Sequence, residues 1–409
     1  MPLPPYVLRG GRVQPDPHQP PAALDLHIGA DGCIAGLLAP GAVAGPIPAV
    51  ELGGRLVLPG LVDAHQHLDK SRTVGSVPNP TGDLEGAISA FRAFATTMTR
   101  ADIVQRAERT IAACSAHGTV ALRSHANVDQ ETGYRGLEAL IELRERWRER
   151  LKLQVVAFLS GSAPGSPQVG DLLRDSLAAG ADVIGGTPAR LADYEPFLDL
   201  LFAAAERTGL PIDLHLDEHL DANNLHFEAV IARTRAHGMQ GQVVASHSCA
   251  LAALPPGDAA RIIEGLAAAG IGVITLPAAN LFLQGRDANR LAPRGLTRVN
   301  ELAQAGVTVA CASDNIQDPF VPTGSGDMLE IARWTLLAAH LGSHELARAF
   351  DMASVNPARL MGIDRDFGIR TGARADLLIT AAEDAAALVA GGALERAVLF
   401  GGIRVAGAL

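Results

Sequence analysis

The sequence has little that would tie it to a membrane, a nucleic acid or an oxidising compartment. Its four cysteines, Cys33, Cys114, Cys249 and Cys311, are scattered without C-x-x-C spacing. A disulfide framework or a structural zinc site is therefore not expected, and a reducing cytoplasm is the compartment that fits. The chain carries 34 basic and 44 acidic residues, a net charge of −10, and no basic run. That argues against nucleic acid or an anionic membrane as a partner. No apolar run reaches the roughly 20 residues of a membrane span. The opening stretch "MPLPPYVLRGGRVQPDP" lacks the basic region and apolar core of a signal peptide. There is no tandem repeat and no low-complexity tract.

What is present is a globular composition, 48% hydrophobic and 19% charged, over 409 residues. That length suits a large barrel-type domain plus an appendage. Residues 1–57 are rich in Gly and Pro, with short strand-like runs such as "YVLRGGRV" and "LDLHIGADGCIAGLL". From residue 58 the texture changes. Strand-like runs at 61–65, 119–124, 152–158, 182–186, 211–216, 242–247, 271–275 and 307–312 alternate with segments of helical period, among them "GLEALIELRERWRERL" and "AARIIEGLAAAG". Eightfold strand–helix alternation predicts a parallel (β/α)8 barrel of the TIM type over 58–365. The tail, 366–409, returns to short strands in "ADLLIT", "RAVLF" and "IRVAG", so the two ends are expected to form one small β-domain together.

In such barrels the chemistry lies at the C-terminal ends of the strands. Strand 1 runs into "PGLVDAHQHLDK", where His65 and His67 stand two apart and share one face of an extended chain. Strand 5 ends in His215 with Glu218 three residues on, strand 6 in His247, and strand 8 in Asp314. Any one of these is ordinarily a hydrogen-bonded structural residue. Their joint occurrence at the same end of four strands is what points to a site. Three histidines and one aspartate suit a borderline divalent ion, Zn²⁺ or Fe²⁺, with a position left for water. His125 ends strand 2, as a pocket wall or as a partner behind the site. Asp63 is expected to hold a neighbouring loop or to support a metal ligand from behind. Lys70 is placed to reach substrate, although a loop lysine is more often solvated, and His219 and His226, in the loop after Glu218, are weaker candidates that could as well be solvated.

The stretches "PGLVDAHQHLDK", "LRSHANVD", "IDLHLDE", "VVASHS", "LPAANLFLQGR", "RGLTRVNEL", "SDNIQDPFVPTG" and "GIRTGARADLLI", in this order along almost the whole chain, resemble the amidohydrolase superfamily and within it the cytosine deaminase-like branch. The resemblance implies that His65, His67, His215 and Asp314 are metal ligands. It makes Glu218 the proton shuttle, and it has His247 hydrogen-bond the attacking water or the developing tetrahedral centre. Many superfamily members bridge two metals with a carboxylated lysine on strand 4. Here that strand reads "ADVIGGTPAR" and has no lysine, so one metal ion is expected. A bound divalent cation lowers the pKa of water from ~15.7 toward ~7. The expected reaction is hydrolytic removal of an exocyclic amine from a small nitrogen heterocycle.

Three positions depart from the branch, all on the substrate side. Ser160 stands where cytosine deaminases carry a glutamine, Asn315 where a second Asp follows the metal-ligating Asp, and Phe320 where a tryptophan is usual. Ser160 reaches less far, Asn315 both donates and accepts, and Phe320 removes an indole donor. The chemistry is expected to be kept and the ring altered, so that the substrate is cytosine-like without being cytosine. Two further readings stand beside this one. The first is a hydrolase that removes an alkylamine from an s-triazine or opens a cyclic amide. The other, disfavoured by the intact ligand set, is a non-catalytic barrel. Oligomeric state is not legible, although acidic barrels of this size often form homo-oligomers.

Overall fold

The computed structural model describes residues 4–42, 47–286, 294–391 and 393–409. The N-terminal segment supplies strands β1 (Tyr6–Val13), β2 (Ala22–Ile28), β3 (Ile34–Leu38), β4 (Ala49–Glu51) and β5 (Leu56–Pro59). Then come β6 (Leu61–Gln66), β7 (Thr119–Val128), β8 (Lys152–Leu159), β9 (Val183–Gly186), β10 (Ile212–Leu216), β11 (Val243–His247), β12 (Gly272–Thr275) and β13 (Val309–Cys311). The tail adds β14 (Leu377–Thr380), β15 (Arg396–Phe400) and β16 (Ile403–Ala406).

β6 to β13 pair in parallel in sequence order, with helices between them, as the alternation predicts. Their side chains are buried almost without exception, as expected for strands covered on both faces. β7 runs on through Val128 instead of stopping near Ser124, because His125–Val128 stay paired with Val156–Leu159 of β8. The barrel closes between β13 and β6 at the site itself. The Asp314 N–H donates to the His65 carbonyl at 2.9 Å, and the His67 N–H donates to the Asp314 carbonyl at 2.8 Å.

The remaining strands form one sheet in the order β16-β15-β14-β5-β1-β2-β3, with β4 added beside β1. Chain ends far apart in sequence therefore share one domain. It has its own core, which includes Leu8, Leu26, Ile34, Leu377 and Leu399. The two bodies meet at Gly60, between β5 and β6. A Cβ there would come within 2.6 Å of the Val120 side chain, so only glycine admits this approach. No helix among the described residues is long and apolar enough to cross a membrane.

Candidate active site

The strand ends bring the expected residues together. One ligand atom from each of His65, His215, His247 and Asp314 lies within 4.8 Å of every other. His67 joins them: its Nε2 stands 3.0 Å from His215 Nε2 and 3.4 Å from Asp314 Oδ1. All of these side chains are buried. Two of them, and Asp217 next to Glu218, sit on strained backbone. Asp314 (φ 61°), His247 (φ 66°) and Asp217 (φ 50°) are left-handed without being glycine, which costs of order 1–3 kcal/mol each and concentrates at functional sites. The strain has a use at His247. Ser246 and His247 are consecutive, yet both reach the barrel interior, which the alternation of a strand forbids; the left-handed turn at His247 permits it.

The cluster fits a divalent cation. The His67 Nδ1–H can donate to the His125 carbonyl at 3.2 Å, which leaves the Nε2 lone pair aimed at His215 Nε2. Two lone pairs at that separation repel unless a cation or proton stands between them. The His65 Nε2 atom is buried and has no hydrogen-bond partner. Burial, and then neighbouring positive charge, holds His67 and His215 well below the ordinary histidine value. Neutral imidazoles are the form that ligates metal.

A second layer orients the first. His65 Nδ1 contacts Ser246 Oγ at 2.9 Å, and that hydroxyl donates to Asp213 at 2.8 Å. Asp213 is paired at 2.9 Å with the fully buried Arg123. This chain fixes the His65 tautomer with Nε2 toward the cluster. Asp63 accepts from the Ser313 N–H and hydroxyl, so it positions the residue before Asp314, in line with its expected loop-holding part. His125 lies behind the site, with its ring 4.0 Å from that of His65, and does not line the pocket. His226 is not solvated. It is buried and bonded to Asp217 at 2.6 Å, and the same carboxylate accepts the His226 backbone N–H at 2.9 Å.

The amidohydrolase family profile matches residues 79–390. A pterin deaminase of Rhizobium rhizogenes is 35% identical, with 86% of this chain and 81% of that one covered. An N-isopropylammelide isopropyl amidohydrolase of a Pseudomonas species is 29% identical over 81% of each chain. The solved structure of a Klebsiella pneumoniae 5-methylcytosine deaminase liganded with 5-fluorocytosine superposes with a TM-score of 0.91 at 30% identity, over 99% of this chain and 98% of that one. The chain belongs to the amidohydrolase family. It is an enzyme of a metal-dependent group, with cytosine deaminase-like relatives, and its His/Asp cluster is able to hold a metal.

Above this amidohydrolase cluster opens a cavity of about 480 Å³, which Glu218, His247, Asp314, Ser160, Asn315 and Phe320 all help to line. Burial, and next the negative Asp314, raises the Glu218 carboxyl well above its ordinary value. Burial also pushes Asp314 upward, but the imidazoles around it outweigh that and hold it low. The two carboxyls are thus driven apart, the usual mark of distinct acid and base roles. With the Asn280 amide donating to His247 Nδ1 at 3.1 Å, the ring's proton sits on Nε2, 4.0 Å from Asp314.

On the substrate side Ser160 Oγ is buried and unpartnered. In Asn315, one N–H of the amide donates to Asp318 at 2.6 Å, which leaves its second N–H and its carbonyl as the functions not spent on Asp318. Lys70 is 4% exposed and lines the cavity, not solvated, because the turn 67–73 tucks beneath the helix Leu84–Ala95. Several contributors were not singled out in the sequence: Asp213, Ser246, Asn280, Asn127, Phe91 and Phe158. Asp213 was legible, since it precedes His215 by two on the same strand face. The aromatic walls were not, because nothing in their local pattern separates them from core.

Proposed function

We propose that this amidohydrolase is a hydrolytic deaminase that removes an exocyclic amine from a nitrogen heterocycle larger than cytosine or more substituted. The observation that carries the reading is Glu218, a carboxyl of raised pKa at the cavity floor beside the His/Asp cluster and 3.5 Å from His247. His65, His67, His215 and Asp314 would hold one divalent cation, Zn²⁺ or Fe²⁺. When bound, the cation supplies the Lewis acidity that makes a water molecule acidic near neutral pH.

The protein's own groups then divide the proton work. The Asp314 carboxylate accepts the proton of the attacking water. Glu218, kept protonated by its surroundings, gives its proton to the ring nitrogen beside the amine-bearing carbon, which makes that carbon electrophilic. The proton that Asp314 took from the water is then relayed through Glu218 to the leaving amine, and the remaining hydroxyl proton, released as the new carbonyl forms, restores Glu218 to its acid form. The His247 Nε2–H donates to the oxygen on which negative charge develops. Phe158, stacked on His215 with ring centroids 4.1 Å apart, and Phe320 form apolar walls against which a planar ring can lie.

The cavity volume, within the roughly 300–1,000 Å³ typical of small-molecule sites, exceeds what one six-membered ring needs. Ser160, Asn315 and Phe320, proposed as substrate contacts, stand where the cytosine deaminase-like branch carries glutamine, aspartate and tryptophan, so a ring with a different pattern of polar edges is favoured. The pterin deaminase likeness supports a fused bicycle. A second reading, removal of an alkylamine from an oxo-triazine, is favoured by the apolar wall of Leu84, Ile88 and Phe91 and by the isopropylammelide hydrolase likeness. The test is kcat/KM over cytosine, 5-methylcytosine, pterins, creatinine and N-alkylated triazines, with ammonia and alkylamine both assayed. A pterin or alkylaminotriazine should exceed cytosine by ~10⁴-fold, the size of a mismatched hydrogen-bonding edge. Cytosine as the best substrate by a wide margin would sink the reading of Ser160 and Asn315.

A further inference from the structure

We propose that Lys70 is a substrate-binding residue whose ammonium receives a ring oxo group. The inference rests on the deaminase reading and names the residue that recognises the oxo edge of the ring. Lys70 follows the second histidine of the strand-1 motif by three residues and is 4% exposed. No carboxylate among the described residues lies within 4.0 Å of it. Its Nζ sits instead among three aromatic faces, 4.9 Å from the Phe320 centroid, 5.3 Å from Phe91 and 5.7 Å from Phe158. Those faces attract a cation but satisfy none of its N–H donors.

The polar atom in hydrogen-bond range of Nζ is His67 Nδ1, at 3.1 Å. It cannot serve Lys70 and the His125 carbonyl together. A proton on Nδ1 bonds the carbonyl and repels the ammonium; a lone pair on Nδ1 receives Lys70 and leaves the carbonyl. In either state at least two of the three lysine donors have no hydrogen-bond partner among the described residues, and the side chain lines the cavity. The backbone prevents escape to solvent. Arg106 Nη1 donates to the Asp69 and Ser71 carbonyls at 3.1 and 2.7 Å, and Thr73 Oγ1 donates to the Lys70 carbonyl at 2.7 Å.

A buried ammonium with open donors is costly unless something in the cavity accepts them. Across the cavity Asn127 Oδ1 and Ser160 Oγ are likewise buried and unpartnered. A ring carrying C=O beside N–H matches this set: the oxygen to Lys70, the N–H to an acceptor such as Asn127 Oδ1.

The experiment compares matched rings with and without the oxo group: 2-amino-4-oxopteridine beside 2-aminopteridine, and 4-amino-2-oxopyrimidine beside 4-aminopyrimidine. Binding is measured by calorimetry and turnover by ammonia release, on the metal-loaded wild type, Lys70→Met and Lys70→Gln. Lys70→Met should weaken the oxo rings by roughly 10- to 100-fold, the loss of a hydrogen bond to a charged group. It should leave the oxo-free rings within about 3-fold and the metal content unchanged, and Lys70→Gln should restore part of the difference. An equal loss for both members of a pair, no loss, or loss of metal in both variants would overturn the proposal. Binding that discriminates as expected without any turnover would leave Lys70 standing and fail the deaminase reading instead.

Discussion

At the scale of single residues, the site depends on carboxyls driven in opposite directions by what surrounds them. Glu218 and Asp314 share one cavity, yet burial dominates the first and imidazoles dominate the second. Glu218 is not among the proposed ligands, so removing its charge should separate chemistry from binding. Glu218→Gln is expected to keep its metal and its substrate affinity while kcat falls by roughly 10²-fold or more, the usual share of a general acid–base group. Metal analysis, equilibrium binding and single-turnover rates check this. Near-normal turnover would make Glu218 a structural residue.

At the scale of elements, the floor of the site is made by strands and its wall by the segments that follow them. The helix Leu84–Ala95, capped by Asp83 accepting from the Gly86 N–H, carries Phe91 into the cavity wall. The loop after β13 folds so that Asp318 accepts from the Phe320 and Val321 N–H groups and from Asn315. Burial pushes Asp318 up to about 7 in spite of those bonds. The native protein then holds a proton that the unfolded chain releases near the ordinary carboxyl value of ~3.9. This contribution to stability is complete below pH ~4 and is lost as pH rises toward 7, by a few kcal/mol in order of magnitude. Asp318→Asn should therefore lose less stability than the wild type between pH 5 and pH 8, as read from the thermal midpoint. Asp63, raised by burial to about 6, adds a slope of the same sign that both proteins keep. Equal pH dependence in the two would show Asp318 to be ionised throughout.

At the scale of the whole molecule, the closing seam of the barrel and the proposed metal site are the same place. His65, His67 and Asp314 exchange the backbone bonds that join β6 to β13. A cation held there would tie the first strand to the last, and binding to the native state alone adds RT ln(1 + [L]/Kd), about 4 kcal/mol at 1,000 Kd. Stripping the metal with a chelator should abolish activity and lower the melting temperature by several degrees. His65→Ala and His215→Ala should lose the metal together with activity. A metal-free preparation that is fully active would end this account.

The sequence by itself determined the barrel, because parallel strands covered on both faces must be apolar and must alternate with helices that cover them. It determined the shared terminal domain in outline, because "YVLRGGRV", "ADLLIT" and "RAVLF" have strand composition outside the alternating region. It also placed His65, His67, His215, Glu218, His247 and Asp314 at strand ends, where a packed core would not choose them. Only the tertiary structure decided which donors each side chain has left. Asn315 gives one N–H to Asp318, His226 is taken by Asp217, and Lys70 is enclosed by three phenylalanines from three separate segments. Such facts depend on partners distant in the chain, and local periodicity carries no record of them. The same holds for His247, whose inward aim requires a left-handed turn that no strand pattern announces.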